Sequence, residues 1–228
     1  MRTTVNILIA VELPAWWEDM AIRRYRIFAS PEAEIIGSSL SPAQQEAANK
    51  GNLLEQLVEN GREAERRASF VHILDCFGDP LLAELNQRLR APVVGVGESS
   101  MLAASSWFDS FAVITSEEGT GEKIRAHAKQ AGVSGQLMDC RAIGVSAADI
   151  PADREDAFQR LLPHARELAA NGADAVLLGC TELAMMASSL REHLRAEGIS
   201  LEVVNPIAVA QRWAEMTVWG RTQGQIIT

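Results

Sequence analysis

Two of the three cysteines in this 228-residue chain occupy matching positions. Cys76 and Cys180 each follow a short apolar run and precede a helical pattern, whereas Cys140 ends a similar run without a symmetric partner and is interpreted as structural. A single free cysteine most often packs as a small hydrophobe. Two thiols at the starts of helices favour another interpretation, because unpaired N–H groups there stabilise a thiolate.

A pair of facing thiols suits the inversion of a stereocentre. One sulphur, as thiolate, removes the proton from one face of an acidic carbon, and the other, as thiol, delivers a proton to the opposite face. The intermediate carries negative charge on a carbonyl or carboxylate oxygen. Backbone N–H groups after each cysteine and the hydroxyls of Thr115, Ser116 and Thr181 are the candidates to stabilise that charge.

The elements that position these thiols are predicted to be alternating strands and helices. Short runs rich in Val and Ile alternate with longer amphipathic segments, which is typical of βαβ units with buried parallel strands. The predicted strands span residues 5–11, 34–40, 70–75, 92–96, 111–115, 135–139, 173–178 and 201–204. Capping patterns predict four helix starts: Ser41-Pro42 with Gln44, Asp79-Pro80, Thr115 with Glu118, and Asn205-Pro206.

The order helix, apolar strand, cysteine, helix occurs twice. Residues 53–78 and 158–181 share it, and their cysteines lie 104 residues apart (180 − 76), close to half the chain. We therefore predict an α/β protein of two pseudo-symmetric domains with parallel-sheet cores and flanking helices. Each domain presents one cysteine at the carboxyl end of a strand, where open parallel sheets bind ligands.

Composition and charge exclude several classes of function. Thirty acidic against 21 basic residues give a formal charge of −9 and a pI near 5.0, which argues against a nucleic-acid partner. No uncharged apolar stretch reaches the roughly 18 residues of a membrane span, and the first residues are too polar for a signal peptide. The sparse, odd set of cysteines predicts reduced thiols in a cytoplasmic protein.

Cofactor chemistry has few candidates. The lysines are Lys50, Lys123 and Lys129, and each lies among polar residues of a helical pattern, so a buried lysine for pyridoxal phosphate is not expected. The histidines, at 72, 127, 164 and 193, lack metal-ligand spacing. We expect neither a cofactor nor a metal.

Several motifs resemble the Asp/Glu/hydantoin racemase superfamily, nearest its hydantoin and allantoin racemase branch. The resemblance covers about residues 65–218 and is carried by segments 75–80 (DCFGDP), 92–98 (PVVGVGE), 111–115 (FAVIT), 172–183 (GADAVLLGCTEL) and 204–210 (VNPIAVA). Within the fourth segment, Thr181-Glu182 is closer to the aspartate racemase side of the superfamily than to the hydantoin side.

The resemblance implies a cofactor-independent racemase with its site in the cleft between two α/β domains. It places the catalytic pair on Cys76 and Cys180, and it assigns residues 1–96 with 206–228 to the first domain and 97–205 to the second. Substrate contacts are expected from Phe77, Gly78, Thr115, Ser116, Thr181 and Glu12. The expected partners are a small-molecule substrate and further copies of the chain in a homo-oligomer, with no nucleic acid and no membrane.

The start of the chain departs from the pattern of that branch. Hydantoin and allantoin racemases typically have an Asn-Pro-Asn-Ser/Thr turn after the first strand, where this chain has Glu12 and then Trp16-Trp17. The tryptophans either line the pocket or pack on the core as a helix face. Glu98 is interpreted as a helix cap. Because the missing turn normally lies beside the substrate, the resemblance does not name the substrate.

Three hypotheses follow for the function. The first is a racemase or epimerase of a hydantoin-like or amino-acid-derived substrate, with Cys76 and Cys180 as alternating acid and base. The second keeps the fold and makes the protein a cis–trans isomerase or decarboxylase of a small diacid, through covalent or proton-transfer chemistry of cysteine. The third is a non-catalytic relative that binds a small molecule.

Overall fold

The computed structural model describes residues 3–10 and 16–223. The chain divides into two compact units: Met1–Val96 with Ala210–Thr228 is unit 1, and Gly97–Val209 is unit 2. In the described ranges each unit is built on one four-stranded sheet. Along the same ranges, no helix has both the length and the apolar character needed to cross a bilayer.

The sheet of unit 1 has the strand order β2-β1-β3-β4, and neighbouring strands are parallel. Its strands are β1 (Thr3–Leu8), β2 (Ala33–Ser38), β3 (Val71–Leu74) and β4 (Val93–Gly95). The helices between them are α1 (Trp16–Phe28), α2 (Pro42–Ala47), α3 (Leu53–Arg66) and α4 (Leu82–Arg88), with a π-helical turn, Ala48–Asn52, between α2 and α3. Leu8, Leu57, Leu74 and Leu85 belong to one buried cluster of this unit.

The sheet of unit 2 has the order β6-β5-β7-β8, again with parallel neighbours. Its strands are β5 (Phe111–Thr115), β6 (Leu137–Ala142), β7 (Ala175–Leu178) and β8 (Glu202–Val204). Its helices are α5 (Val96–Trp107), α6 (Thr120–Gln130), α7 (Arg154–Ala170) and α8 (Ala187–Ala196), with a 3₁₀ turn, Leu183–Met186, before α8. A last helix, α9 (Pro206–Gln223), begins in unit 2 and belongs to unit 1 from Ala210 onwards. Ile114, Leu161, Leu178 and Leu190 pack in the core of unit 2.

The two units repeat one topology. Strands β5, β6, β7 and β8 take the places in their sheet that β1, β2, β3 and β4 take in the other. In each sheet the third strand lies between the first and the fourth, and all of its residues are buried. The prediction of two pseudo-symmetric α/β halves with parallel sheets is thereby confirmed.

Each predicted apolar run overlaps a strand, but the bounds of most strands differ by a few residues. The run 111–115 coincides with β5, whereas 135–139 was predicted for a strand that spans Leu137–Ala142. β6 lies at the edge of its sheet and is partly exposed, so it tolerates polar residues. Arg141 donates to the Asp139 carboxylate on the same strand, 2.9 Å away. An apolar pattern alone ends such a strand too early.

Two of the predicted helix starts are confirmed. The Ser41 hydroxyl accepts a hydrogen bond from the N–H of Gln44, and the Gln44 side chain accepts one from the N–H of Ser41, which is the reciprocal capping box. At the start of α9, the side-chain oxygen of Asn205 accepts from the N–H groups of Ile207 and Ala208. Both caps satisfy backbone donors that the first turn of a helix leaves unpaired.

The other two predicted starts are wrong. α4 begins at Leu82 rather than after Asp79, because Asp79 and Leu81 adopt left-handed φ angles of 44° and 62°. Thr115 is the last residue of β5, and α6 begins at Thr120. Asp79 lies instead in the loop after β3, and the Thr115 hydroxyl donates to the Gly179 carbonyl rather than capping a helix.

Candidate active site

Cys76 and Cys180 follow equivalent strands of the two sheets. Each lies two residues beyond the third strand of its unit: β3 ends at Leu74 and β7 at Leu178. The carboxyl ends of parallel strands are where α/β sheets bind ligands. We call residues 75–79 the Cys76 site, and residues 115, 116 and 179–183 the Cys180 site.

In the Cys76 site, two successive turns of the main chain position Cys76. The Asp75 N–H donates to the Leu8 carbonyl at 2.9 Å, which extends the pairing of β3 with β1 by one residue. The Cys76 N–H then donates to the Leu74 carbonyl at 2.8 Å, and the Asp79 N–H donates to the Cys76 carbonyl at 3.0 Å. Cys76 is partly exposed, and a Cβ at Gly78 would lie 3.8 Å from its sulphur. The absence of a side chain at Gly78 leaves one side of that sulphur uncovered.

Two buried carboxylates flank Cys76. Asp75 accepts a 2.9 Å hydrogen bond from the hydroxyl of Tyr25 in α1. Asp79 packs against Gly95, where a Cβ would stand 2.4 Å from the Asp79 Oδ2. Burial, and then the charge of Asp75, hold the pKa of Tyr25 well above its usual range. Tyr25 was not predicted, because no motif marks it and it lies 50 residues from its partner in sequence.

In the Cys180 site, the end of β5 holds the turn that carries Cys180. The Gly179 N–H donates to the Ile114 carbonyl at 2.7 Å, and the Thr115 hydroxyl donates to the Gly179 carbonyl at 3.1 Å. Because Ile114 pairs with Leu178, the parallel register continues to bring Ser116 beside Cys180. The structure thus brings together three of the predicted site residues, Thr115, Ser116 and Cys180.

The Cys180 thiol is buried among hydrogen-bond donors. Its exposed fraction is 8%, and burial raises the pKa of the thiol. The Ser116 hydroxyl and the backbone N–H groups of Glu182 and Leu183 hydrogen-bond to the sulphur and lower that pKa, whereas the charge of Glu182 raises it. The donors face the sulphur at the start of the 3₁₀ turn that leads into α8. A thiolate formed at Cys180 accepts hydrogen bonds from these three donors.

The remaining predicted substrate residues lie in the Cys76 site or the Cys180 site, with one exception. Phe77 is buried, Gly78 is exposed and Thr181 is half-buried. The exception is Glu12, which lies outside the described residues. The Thr115 hydroxyl, predicted to face the intermediate, is engaged by the Gly179 carbonyl.

The two tryptophans of α1 differ in their surroundings. Trp17 is buried, with the Arg24 guanidinium 5.8 Å from its ring centroid, whereas Trp16 is exposed. The core interpretation therefore holds for Trp17.

Glu98 lies in the first turn of α5, where the helix dipole favours a carboxylate.

Cys140 differs from the other two cysteines in position. It lies within the edge strand β6, and burial raises the pKa of its thiol to about 11. It is therefore protonated at neutral pH and a poor base or nucleophile.

Among residues 3–10 and 16–223, no three His, Cys, Asp or Glu side chains come together in a way that could hold a metal ion.

Two α/β units of one strand order, with a cysteine after the third strand of each, are the two-domain Asp/Glu racemase fold. The structure is similar to allantoin racemase from Klebsiella pneumoniae, with a TM-score of 0.80 and 20% identity over 95% of this chain and 87% of that one. Allantoin racemase from Pseudomonas fluorescens gives a TM-score of 0.76 and 20% identity, over 95% of this chain and 91% of the other.

The sequence places the chain within this class. The profile of the Asp/Glu/Hydantoin racemase family matches residues 21–214, and the chain belongs to that family. A hydantoin racemase from Paenarthrobacter aurescens is 26% identical over 190 residues, which cover 80% of this chain and 78% of that protein. The resemblance seen in the cysteine motifs is confirmed, and family membership supports the activity of a racemase, which is an isomerase.

Proposed function

We propose that this protein racemises a hydantoin-like substrate, with the thiols of Cys76 and Cys180 as alternating acid and base. The observation that carries the proposal is the repeated cysteine, two residues beyond the third strand of two sheets with the same strand order. Packing requires no such repetition. Cys140, which does not share the position, has its pKa raised to about 11.

The proposed reaction moves two protons and needs no cofactor. One sulphur, as thiolate, takes the proton from the stereocentre, and the electron pair of the C–H bond passes to the neighbouring carbonyl as an enolate. The other sulphur, as thiol, then gives its proton to the opposite face of the carbon while the enolate pair forms the new C–H bond. The two sulphurs exchange protonation states, and the reverse reaction uses them in the opposite order.

The charge of the loops after the strands supports a neutral substrate over an anionic one. In the described part of the chain, the segments that follow the strands carry no lysine or arginine; these are residues 9–10, 39–41, 75–81, 116–119, 143–153 and 179–182. They do carry carboxylates, among them Asp75, Asp79, Glu117 and Glu182. A diacid or a free acidic amino acid is repelled by such surroundings. A hydantoin ring is uncharged, and its N–H groups can donate hydrogen bonds to carboxylates.

The names of the relatives support the same substrate class. The matched protein from Paenarthrobacter aurescens is a hydantoin racemase, and the two solved structures described above are allantoin racemases. Both names refer to rings with a ureide N–H beside the stereocentre. The amino-acid-derived branch of the first hypothesis is retained as a competing outcome of the test.

The test is a substrate screen followed by three single variants. Enantiomerically pure 5-substituted hydantoins, allantoin, aspartate and glutamate are incubated in D₂O, with optical rotation and deuterium incorporation as readouts. An arylmalonate, which is prochiral, is incubated in parallel, and the release of CO₂ is measured. We expect loss of rotation with deuterium at the stereocentre for a hydantoin or allantoin. Cys76→Ser and Cys180→Ser should each lower racemisation by about 10²–10⁴-fold, and Cys140→Ser should not.

Three results would overturn parts of the proposal. Full activity in both Cys76→Ser and Cys180→Ser would exclude the two-thiol mechanism. Racemisation of aspartate or glutamate alone would refute the substrate class and keep the family activity. Release of CO₂ from the malonate without racemisation of any ring would assign the protein to the decarboxylase hypothesis.

A further inference from the structure

Tyr25 is the only tyrosine of the chain, and it reaches the turn that carries Cys76. Its side chain is wholly buried in unit 1. Its hydroxyl donates a 2.9 Å hydrogen bond to Oδ1 of Asp75, the residue directly before Cys76. Asp75 is itself only 5% exposed. A hydroxyl from α1 therefore ends on the carboxylate next to the proposed catalytic thiol.

The charged groups that act on Tyr25 come from two elements. Asp75 and Asp79, on either side of Cys76, raise its pKa after burial, and Arg24 on α1 lowers it. The net shift keeps the phenol protonated at neutral pH, so that it acts as a donor throughout. Asp79 is held separately, because its carboxylate packs against the Cα of Gly95. Tyr25 and Gly95 thus constrain the two carboxylates that flank the thiol.

We propose that Tyr25 is a positioning residue for Cys76. Its hydroxyl holds the Asp75 carboxylate in the interior of unit 1, fixes the turn that presents the sulphur, and keeps the negative charge of Asp75 directed away from it. The inference rests on the proposed function only in taking Cys76 to be one of the two thiols that transfer a proton. A carboxylate beside a thiol opposes loss of the thiol proton. A donor that engages the carboxylate therefore favours the thiolate.

The test measures the rate of iodoacetamide alkylation of each cysteine against pH in the full-length protein, with the sites resolved by peptide mass. Tyr25→Phe removes the hydroxyl and keeps the ring. It should slow alkylation of Cys76 at neutral pH about tenfold, with a midpoint about one pH unit higher. Cys180, in the other unit, should be unchanged and serves as an internal reference.

A second substitution separates positioning from loss of structure. Adding Asp75→Asn to Tyr25→Phe should restore the rate at Cys76, because the charge that Tyr25 held is gone. Ser38→Ala is the matched control. It removes another hydroxyl of unit 1, which donates to Asn6 at 2.9 Å, and it should leave Cys76 unaltered.

The single tyrosine also gives a direct readout. The absorbance of tyrosinate follows Tyr25 alone, and Asp75→Asn should lower the pKa of that tyrosine because one of its two carboxylate neighbours is neutral. If Tyr25→Phe does not fold, Asp75→Asn alone must show this shift together with faster alkylation of Cys76.

Three outcomes would overturn the inference: unchanged alkylation of Cys76 in Tyr25→Phe, equal slowing of Cys76 and Cys180, or a double variant as slow as the single one. None of these measurements needs turnover. A shifted Cys76 profile in a protein that racemises nothing would refute the proposed function and leave the role of Tyr25 standing. Racemisation together with an unshifted Cys76 alkylation profile in Tyr25→Phe would refute the role of Tyr25 and leave the proposed function standing.

Discussion

The hydroxyl of Thr115 donates a hydrogen bond to the main-chain carbonyl of Gly179, 3.1 Å away, and ties the end of β5 to the turn that carries Cys180. Both residues are buried, so water does not replace the bond when it is lost. The position of Cys180 therefore depends on a side chain from the neighbouring strand as well as on its own.

Thr115→Val keeps the shape of this side chain and removes the donor. We expect a loss of about 1–2 kcal/mol in the free energy of unfolding, because the Gly179 carbonyl is left unpaired, and a fall of about tenfold in racemisation as Cys180 shifts. Urea unfolding and turnover measure the two effects. Thr217→Val is the control, since that hydroxyl bonds the Trp213 carbonyl within α9. Equal turnover in the two variants would contradict the role given to Thr115.

Ser116→Ala should make the Cys180 thiol harder to ionise. Burial already raises the pKa of Cys180, and the Ser116 hydroxyl is the largest effect that lowers it. Without that donor, the midpoint of Cys180 alkylation should move up by about one pH unit, with Cys76 unchanged in the same sample. Ser105→Ala, which removes a hydroxyl bonded to the Leu102 carbonyl in α5, should have no effect on either thiol.

Gly179→Ala should destabilise unit 2. A Cβ at this position would stand 2.4 Å from Cγ1 of Val113, a buried residue of β5. Overpacking of this kind costs about 1–3 kcal/mol. Gly135→Ala is the matched control, because no atom lies within 4 Å of its Cβ position. Combining Gly179→Ala with Val113→Ala should recover part of the lost stability. The steric explanation fails if the two glycine variants unfold at the same urea concentration.

Gly78→Val should cover the Cys76 sulphur without unfolding the protein. Gly78 is exposed, and its Cβ would lie at an ordinary contact distance of 3.8 Å from the sulphur. The branched side chain should slow alkylation of Cys76 by a bulky maleimide about tenfold, an obstruction of about 1.4 kcal/mol, and slow iodoacetamide less. Alkylation of Cys180 reports whether the effect is local. Equal rates with both reagents before and after the change would show that this side of the sulphur is not the route of access.

The stability of the protein should fall below neutral pH because of His72. This buried imidazole accepts from the Asn6 amide at 3.1 Å, and its other nitrogen lies 3.7 Å from the Glu65 carboxylate. Burial lowers its pKa from 6.5 to about 4, so the unfolded chain binds this proton more readily than the folded one. The stabilisation is complete above pH 6.5 and is lost as the pH falls towards 4, by at most about 3 kcal/mol.

Urea unfolding at about pH 7.5 and about pH 5 measures this loss. His72→Gln should flatten the pH dependence between those values, although it lowers stability at both. His193→Gln should retain it, since His193 lies at the surface. A His72→Gln protein with the slope of the natural sequence would show that other groups cause the acid sensitivity.

Those features of the fold that depend on local pattern were predicted well. The run 111–115 is apolar up to Thr115, its last residue, because β5 is paired on both sides and buried, and its bounds were predicted correctly. The duplicated cysteines were visible because each follows such a run. The prediction of a helix start at Asp79-Pro80 was wrong, because Asp79 has a left-handed φ and its carboxylate is buried.

The contacts that complete the Cys76 site and the Cys180 site could not be predicted from the sequence. Tyr25 meets Asp75 only because α1 packs against the sheet, and Ser116 reaches Cys180 only through the register of β5 with β7. Both relations join residues 50 or more positions apart, and no spacing rule encodes them. The tryptophans show the same limit, since the pattern did not distinguish the buried Trp17 from the exposed Trp16.

The repeated topology surrounds two like thiols with unlike groups: carboxylates flank Cys76, whereas hydroxyl and amide donors face Cys180. Mirror-image substrates have equal free energies, so at equilibrium a racemase must leave them in equal amounts. The ratio kcat/KM is then the same for both enantiomers, however different the two thiols are. In the proposed two-thiol mechanism, a difference between the thiols can therefore appear only in kcat and KM separately: the two saturation curves then share an initial slope and reach different plateaus, with the enantiomer that saturates first turning over more slowly.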